Sequence, residues 1–371
     1  MTSSRSCSSS TVALALLLAG GCAAAPVRQE ARPPARVAVL PVENLSGAVA
    51  PARAIQEALA LAVARAGVEV VGGDLLDAFL ARHWVRYTGG VDAETARSAR
   101  EELGVDALLL TSLELHSAGT FPRVGLGARL VAAEDRPRIL WVSSVYRWGD
   151  EAPGLLGLGL VHDMDAVRSS AIQRLARGLG AYLESSERPP PPCPAGRPFQ
   201  PHLSYSAHRA PAGRHLTVMV VPFLSRTDRP SAAQAVAAEM VRSLEATGRF
   251  EVVEPGLVRE ELLRNRVVTQ GGVALDTVRP VLAQLPADLV LTGTVFRYED
   301  GEVASAVAVE FSLVLLDRET GRIVWAGTST NGGLDDEFLF EQGRIRVAAA
   351  LACRMASSVA VAMADAAGAG R

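Results

Sequence analysis

Val37-Ala38-Val39-Leu40-Pro41 returns 181 residues later as Val218-Met219-Val220-Val221-Pro222. Both are apolar, β-branched runs halted by proline, the pattern of a buried strand whose hydrogen-bond ladder must stop. The same offset sets Ile55, Leu59 and Val63 opposite Val236, Met240 and Leu244. A spacing of four puts each trio on one helix face. Gly67 and Gly248 then stand as matching helix stops. One inserted residue raises the offset to 182, and 68–114 runs without a gap against 250–296, with 15 identities in 47 positions. Among them are Glu69-Val70-Val71 with Glu251-Val252-Val253, Gly89-Gly90-Val91 with Gly271-Gly272-Val273, and Asp106 with Asp288. Arg138-Ile139-Leu140-Trp141 later matches Arg322-Ile323-Val324-Trp325. A register kept over this length reads as internal duplication.

Each half follows one order: strand, helix, short strand at 68–71, a second helix from near Asp74 or Gly256, and a third over 93–103 or 275–285. A buried strand at 107–113 or 289–295 comes next. Two longer strands, 124–132 with 139–146 and 307–315 with 323–328, read as antiparallel partners across polar turns such as 317–321. Helices over 165–183 and 344–363 close the halves. The expected class is α/β (α+β): two tandem similar domains, each a mixed β-sheet with helices packed on it. Pro189 to Pro192 remove four successive backbone donors, and Pro194, Pro198 and Pro201 follow. The stretch after Arg188 is therefore expected to be a linker without helix or strand. The predicted organisation is a signal peptide at 1–21, a tether at 22–35, a first repeat at 36–186, a Pro-rich linker at 187–214 and a second repeat at 215–367.

The 371 residues are 49% hydrophobic and 21% charged, a globular balance. A net charge of −3 offers a nucleic-acid backbone no polybasic surface, so no nucleic-acid partner is expected. All 37 basic residues are arginine. That excludes a lysine phosphate clamp, a Schiff base and a Ser-Lys pair. Gly-x-Ser-x-Gly, His-Glu-x-x-His and paired Cys-x-x-Cys patterns are all missing from the sequence. No catalytic residue, metal ligand or cofactor is assigned, and the protein is expected not to be an enzyme.

The apolar run TVALALLL at 11–18 ends in Ala19-Gly20-Gly21-Cys22. It is about half the length needed to span a bilayer and reads as a secretory leader. The small residues before Cys22 resemble the bacterial lipobox, although Ala19 stands where leucine is usual. The resemblance implies acyl chains on Cys22, and Ala23 and Ala24 in place of an aspartate imply the periplasmic face of the outer membrane of a Gram-negative bacterium. Simple secretion is the rival. Several buried acyl chains would hold the protein durably on a membrane. Of the remaining cysteines, Cys353 is expected as a buried thiol and Cys193 as a linker residue, with no bridge between them. His202, His208 and His215 have spacings that fit no zinc pattern.

The phrase VAVLPVENLSG at 37–47, the helix after it, VEVV at 68–71, the Gly-Val-Asp-Ala strand and RILW at 138–141 resemble the amino-terminal domain of the TolB translocation protein. They are equally similar to the curli-assembly (CsgG-like) family and to envelope lipoproteins that activate penicillin-binding proteins. The resemblance covers most of both halves. It implies a non-catalytic periplasmic protein that binds another envelope component. The chain departs from the curli exporter in having two copies and no long amphipathic hairpins for a barrel wall. Two roles stay open: a lipid-anchored binding or scaffold module, and a subunit of an oligomeric outer-membrane secretion or assembly device, with homo-oligomers possible.

Asp106 and Asp288 read as turn residues rather than a carboxylate pair. Gly89-Gly90 and Gly271-Gly272 read as turns requiring positive φ, with anion binding at the following helix as the weaker alternative. Trp141 and Trp325 read as packing residues. The candidate contact surface is PGLLGLGLV at 153–161, where Leu155, Leu156, Leu158 and Leu160 alternate with glycine; its counterpart at 331–340 is acidic. An exposed apolar loop would meet a partner or a membrane, and the alternative is a loop folded back on its own sheet.

Overall fold

The computed structural model describes residues 33–152, 157–185, 193, 196–206, 215–267, 272, 284–301, 306–338 and 343–368. The first unit comprises β1 (Arg36–Val39), β2 (Glu43–Asn44), α1 (Ala52–Arg65), β3 (Glu69–Val71), α2 (Gly73–Arg82) and α3 (Ala93–Ser98), which a π-helical turn over Ala99–Leu103 prolongs. It continues with β4 (Ala107–Ser117), β5 (Arg123–Ala132), β6 (Ile139–Trp148) and α4 (Met164–Ser185). The second unit begins with β7 (Leu203–Ser206), β8 (Leu216–Val220), β9 (Leu224–Ser225), α5 (Ala232–Ala246), β10 (Phe250–Val252) and α6 (Pro255–Arg264). It ends with β11 (Leu289–Glu299), β12 (Ala308–Asp317), β13 (Ile323–Gly332) and α7 (Ala348–Gly368). The chain is α+β with two mixed sheets.

The sheets agree strand for strand. Sheet 1 runs β3-β1-β4-β5-β6 with β2 beside β4, and sheet 2 runs β10-β8-β11-β12-β13-β7 with β9 beside β11. In each, the proline-terminated strand lies between two parallel neighbours and the long strands pair antiparallel. Even the register shifts agree, at Leu113/Leu115 and Val295/Arg297. Asp106 Oδ2 accepts hydrogen bonds from the backbone N–H groups of Ala35 and Arg36 at 2.8 and 3.0 Å, and Asp288 Oδ2 accepts from Thr217 N–H at 3.0 Å. Each aspartate ties the start of the central strand to its neighbour, a structural task. Ile55, Leu59 and Val63 are buried, as are Val236, Met240 and Leu244, each contributing roughly 1.5–3 kcal/mol of burial. Gly67 and Gly248 end their helices at φ 80° and 66°. Trp141 and Trp325 are both buried.

The units stack in one direction. Helices α1 and α4 cover one face of sheet 1 with Ile55, Leu59, Leu175 and Leu179. The opposite face takes α2 and α3 over β1 and β4. Beside them, Leu115, Ile139, Tyr146 and Trp148 join the core formed by α5, α7 and sheet 2. Helices α5 and α7 are thus sandwiched between two sheets, which explains why α5 buries residues around most of its circumference. Helix α7 is long and apolar enough to cross a membrane, but it is mostly buried as the core helix of this stack.

Four expectations change. Residues 203–206 form β7, an antiparallel partner of β13 at the edge of sheet 2, because an extended segment can add to a free ladder even when proline-rich sequence precedes it. Cys193 and Cys353 are bridged, with Cα atoms 5.5 Å apart; Cys193 and Arg197 lie against α7 at Cys353 and Arg354, which sequence spacing did not reveal. Gly89 and Gly90 lack positive φ. Close approach explains them, since a Cβ on Gly89 would strike the Glu43 carboxylate and one on Gly90 would lie 2.8 Å from the Gly256 backbone. Gly272 does have φ 99°. The closing helix of the second unit starts at Ala348 rather than 344. The leader, the tether up to residue 32 and most of the helix expected over 275–285 lie outside the described residues.

Candidate functional site

The charged groups with the most perturbed environments gather on the seam between the units. Glu114, on β4, and Arg242 and Glu239, on α5, are 1%, 4% and 0% exposed. Arg242 Nη2 donates to Glu114 Oε1 at 2.9 Å and also to Glu239 Oε1. The Tyr146 hydroxyl, from β6, is within hydrogen-bond distance of Glu114 Oε2 at 2.7 Å and of Glu239 Oε1. The three ionisable groups leave water together, a cost that only mutual pairing offsets. Burial pushes the Glu239 carboxyl up to about 7, with Arg242 opposing and Glu114 adding to the rise. Burial works against the Arg242 cation, but Glu114 and Glu239 outweigh it and hold the guanidinium firmly protonated. Burial also raises Tyr146 and Tyr298 well above their ordinary value.

A second pair closes the other side of the seam. Arg129, on β5, grips Glu254 through Nε–Oε2 and Nη2–Oε1 contacts of 3.1 and 3.0 Å, and also donates to the Gly89 carbonyl. Glu254 is the N-cap of α6 and accepts from Gly256 N–H and Val91 N–H. Around these lie Arg229 Nη2 on the Glu114 carbonyl at 2.8 Å, Ser231 Oγ on the Leu45 carbonyl at 2.6 Å and Arg346 on Asp150 at 2.7 Å. Gly127 permits the close packing, since a Cβ there would sit 2.5 Å from both Arg242 Nη1 and Glu114 Oε1. The disulfide lies alongside: both sulfurs and a Glu239 carboxylate oxygen fall within 4.8 Å of one another.

Between the two pairs the seam opens into a cavity of 680 Å³. Its walls include Leu110, Val142, Phe223, Ala237 and Val241, and its polar lining includes Arg129, Arg242, Arg259, Tyr87, Gln234 and Thr111. Arg259 lies over the Tyr87 ring, 4.2 Å from its centroid. Gln234 donates to Glu43 at 3.0 Å, and burial raises the Glu43 carboxyl. Tyr87 is pushed up to about 12 by burial and by Glu43.

Of the residues singled out from sequence as contacts, the described ones, Leu158 and Leu160, do not line this cavity. Leu158 is 87% exposed and Val161 36%, Leu160 is half-buried, and Leu155, Leu156 and Cys22 lie outside the described residues. In the counterpart loop, Asp336 is buried against Arg354 at 2.7 Å and Phe338 is exposed. The seam residues did leave a trace in the repeat. Glu114 aligns with Phe296, and at the offset of 181 Arg242 aligns with Leu61. A charge whose repeat mate is apolar marks a place where the copies play different parts.

No family model and no curated protein matches this chain. Several solved structures are similar to part of it. The PelC dodecamer from Paraburkholderia phytofirmans is 18% identical with a TM-score of 0.31, over 43% of this chain and 97% of that one. Lipoprotein GNA1162 from Neisseria meningitidis is 20% identical with a TM-score of 0.28, over 32% and 80%. The LpoB C-terminal domain from Escherichia coli is 21% identical with a TM-score of 0.25, over 32% and 82%.

Proposed function

We propose that this chain is a non-enzymatic, lipid-anchored binding or scaffold module at the periplasmic face of the outer membrane, related to the TolB amino-terminal-like and curli-assembly proteins, and that it holds another envelope protein. The observation that carries the reading is the use made of the perturbed groups. Strongly shifted side chains often mark catalytic centres, yet here Glu114, Arg242, Glu239, Tyr146, Arg129 and Glu254 are spent on joining the units. A rigid two-unit body with an acyl tether at one end suits a protein that positions a partner.

The stacking contact also argues against a ring or filament built by repeating it. A helix face on a sheet face is a heterologous contact, which in principle propagates from copy to copy. Its charge pair exists only at the internal seam, because the free ends carry Leu61 in place of Arg242 and Phe296 in place of Glu114. The free face of sheet 2 presents half-exposed Thr294, Ser312 and Thr328 together with exposed Leu203 and Tyr205 on the edge strand, and α4 presents exposed Gln173, Arg174 and Arg177.

Light scattering on the purified chain is expected to report a monomer; a ring-sized species would favour the assembly-device reading. Fatty-acid labelling in cells is expected to be lost in Cys22→Ser, and labelling that persists would remove the anchor. Photocrosslinking from position 158 in the envelope is expected to yield one discrete heterologous adduct, and adducts no different from those at position 173 would discard that loop as the contact.

A further inference from the structure

We infer that Cys193, Cys353 and Glu239 form a site for a soft divalent cation such as Zn²⁺, which becomes available when the bridge between the two cysteines is reduced. This goes beyond the holding of a protein partner and does not depend on it. Both sulfurs and a carboxylate oxygen of Glu239 lie within 4.8 Å of one another. Tetrahedral zinc sets its ligands about 3.5–3.8 Å apart, with bonds of about 2.3 Å to sulfur and about 2.0–2.2 Å to oxygen. Once the sulfurs are free, Cα atoms 5.5 Å apart let both cysteines reach one ion by side-chain rotation. Thiolate ligands favour zinc over magnesium and calcium, which take oxygen ligands.

The carboxylate is an independent sign of a ligand. Glu239 Oε1 takes the Arg242 and Tyr146 contacts, whereas Oε2 is buried without a hydrogen-bond partner. Leaving a buried polar atom unpaired is costly, and a lone carboxylate oxygen is answered by a donor or by a cation. Cys353 is sealed in the core and Cys193 is half-buried, so a small reagent can reach the bridge from the Cys193 side. Ser144 Oγ, 3.9 Å from Cys353 Sγ, borders the fourth position, which falls to water.

The bridge opens by exchange with a dithiol. One thiolate of the reagent attacks Cys193 Sγ to form a mixed disulfide, and Cys353 leaves and takes up a proton. The second sulfur of the reagent then displaces Cys193, which is protonated in turn. The dithiol is oxidised to its disulfide, and the chain gains two electrons and two protons. The metal afterwards displaces both protons from the sulfurs. One dication in place of two protons leaves the net charge of the buried cluster unchanged, so the pairing of Arg242 with Glu114 and Glu239 is kept.

The test is a cobalt titration of the full chain carrying Cys7→Ser and Cys22→Ser, so that Cys193 and Cys353 are its only cysteines. The chain is reduced with dithiothreitol, freed of it without air and titrated with Co²⁺, while thiolate-to-cobalt absorption is followed in the near ultraviolet. One equivalent is expected to saturate the band; Zn²⁺ should displace it and Mg²⁺ should not. The oxidised chain is expected to show no band. Glu239→Gln is expected to weaken Co²⁺ by about tenfold or more, since even outer-shell partners are worth that much. X-ray absorption at the zinc edge of the loaded chain is expected to show two sulfur neighbours beside oxygen. The proposal is overturned if no band forms, if it does not saturate at one equivalent, if the reduced chain in urea binds Co²⁺ as tightly, or if folded Glu239→Gln binds like the parent. Should Glu239→Gln fail to fold, the zinc-edge spectrum decides, and fewer than two sulfur neighbours overturns the site.

Discussion

The guanidinium of Arg242, on the second unit, lies 2.9 Å from the carboxylate of Glu114, on the first, and both side chains are sealed from water. These residues are 128 positions apart in sequence, and their contact joins two similarly built units into one body.

Removing one partner should therefore cost far more than a surface ion pair would. Arg242→Met strands two acidic groups in the interior, and a loss of roughly 3–5 kcal/mol is expected. Urea unfolding checks it, with a second transition expected as the units part. The double variant Glu114→Gln with Arg242→Met should lose less than the sum of the single changes, because the groups share one network. Additive losses would show that the pair is not coupled.

The seam should tighten on mild acidification. Glu239 faces Glu114, Arg242, Tyr146 and Tyr298, and burial raises its carboxyl from 4.5 to about 7. The folded protein thus holds a proton that the unfolded chain would release. This contribution is complete below about pH 4.5 and disappears as the pH rises through about 7, a loss on the order of 3 kcal/mol. Glu43, also raised by burial, acts in the same direction. Thermal midpoints between pH 5 and 8, roughly the range set by these shifts, should fall in the parent and flatten in Glu239→Gln. A parent midpoint that rises with pH would contradict this assignment.

The bridge between Cys193 and Cys353 closes a loop of sequence separation 160. Constraining a loop this long in the unfolded chain is worth about 3–5 kcal/mol. Cys193→Ser should lower the thermal midpoint accordingly, and dithiothreitol should then have no further effect on it. A parent protein indifferent to reductant would show that the bridge does not form.

Close approach at Gly90 should be costly to disturb. A methyl group there would lie 2.8 Å from Gly256 Cα and N across the seam, whereas one on Gly119 would meet nothing within 4 Å. Gly90→Ala is expected to lose about 1–3 kcal/mol by overpacking. Gly119→Ala should stay within about 0.5 kcal/mol of the parent. Equal urea midpoints for the two variants would place the seam elsewhere.

The sequence by itself determined the repeat, the order of elements along each unit, the helix faces of Ile55, Leu59 and Val63 and of their mates, and the turn role of Asp106 and Asp288. These rest on period, proline and glycine punctuation and short turns, all local along the chain. Tertiary structure alone decided that α5 and α7 lie between two sheets, that Glu114 meets Arg242, that Cys193 reaches Cys353 and that a cavity remains where the units join. Each unit has its own core and could be stacked in several ways. The choice among them is set by a few charged, glycine and cysteine positions brought together over 100 residues or more, and periodicity carries no information about such pairings. A comparison of the two copies exposes part of that choice, in Glu114 against Phe296 and Arg242 against Leu61. The direction of stacking becomes visible only when the chain is folded.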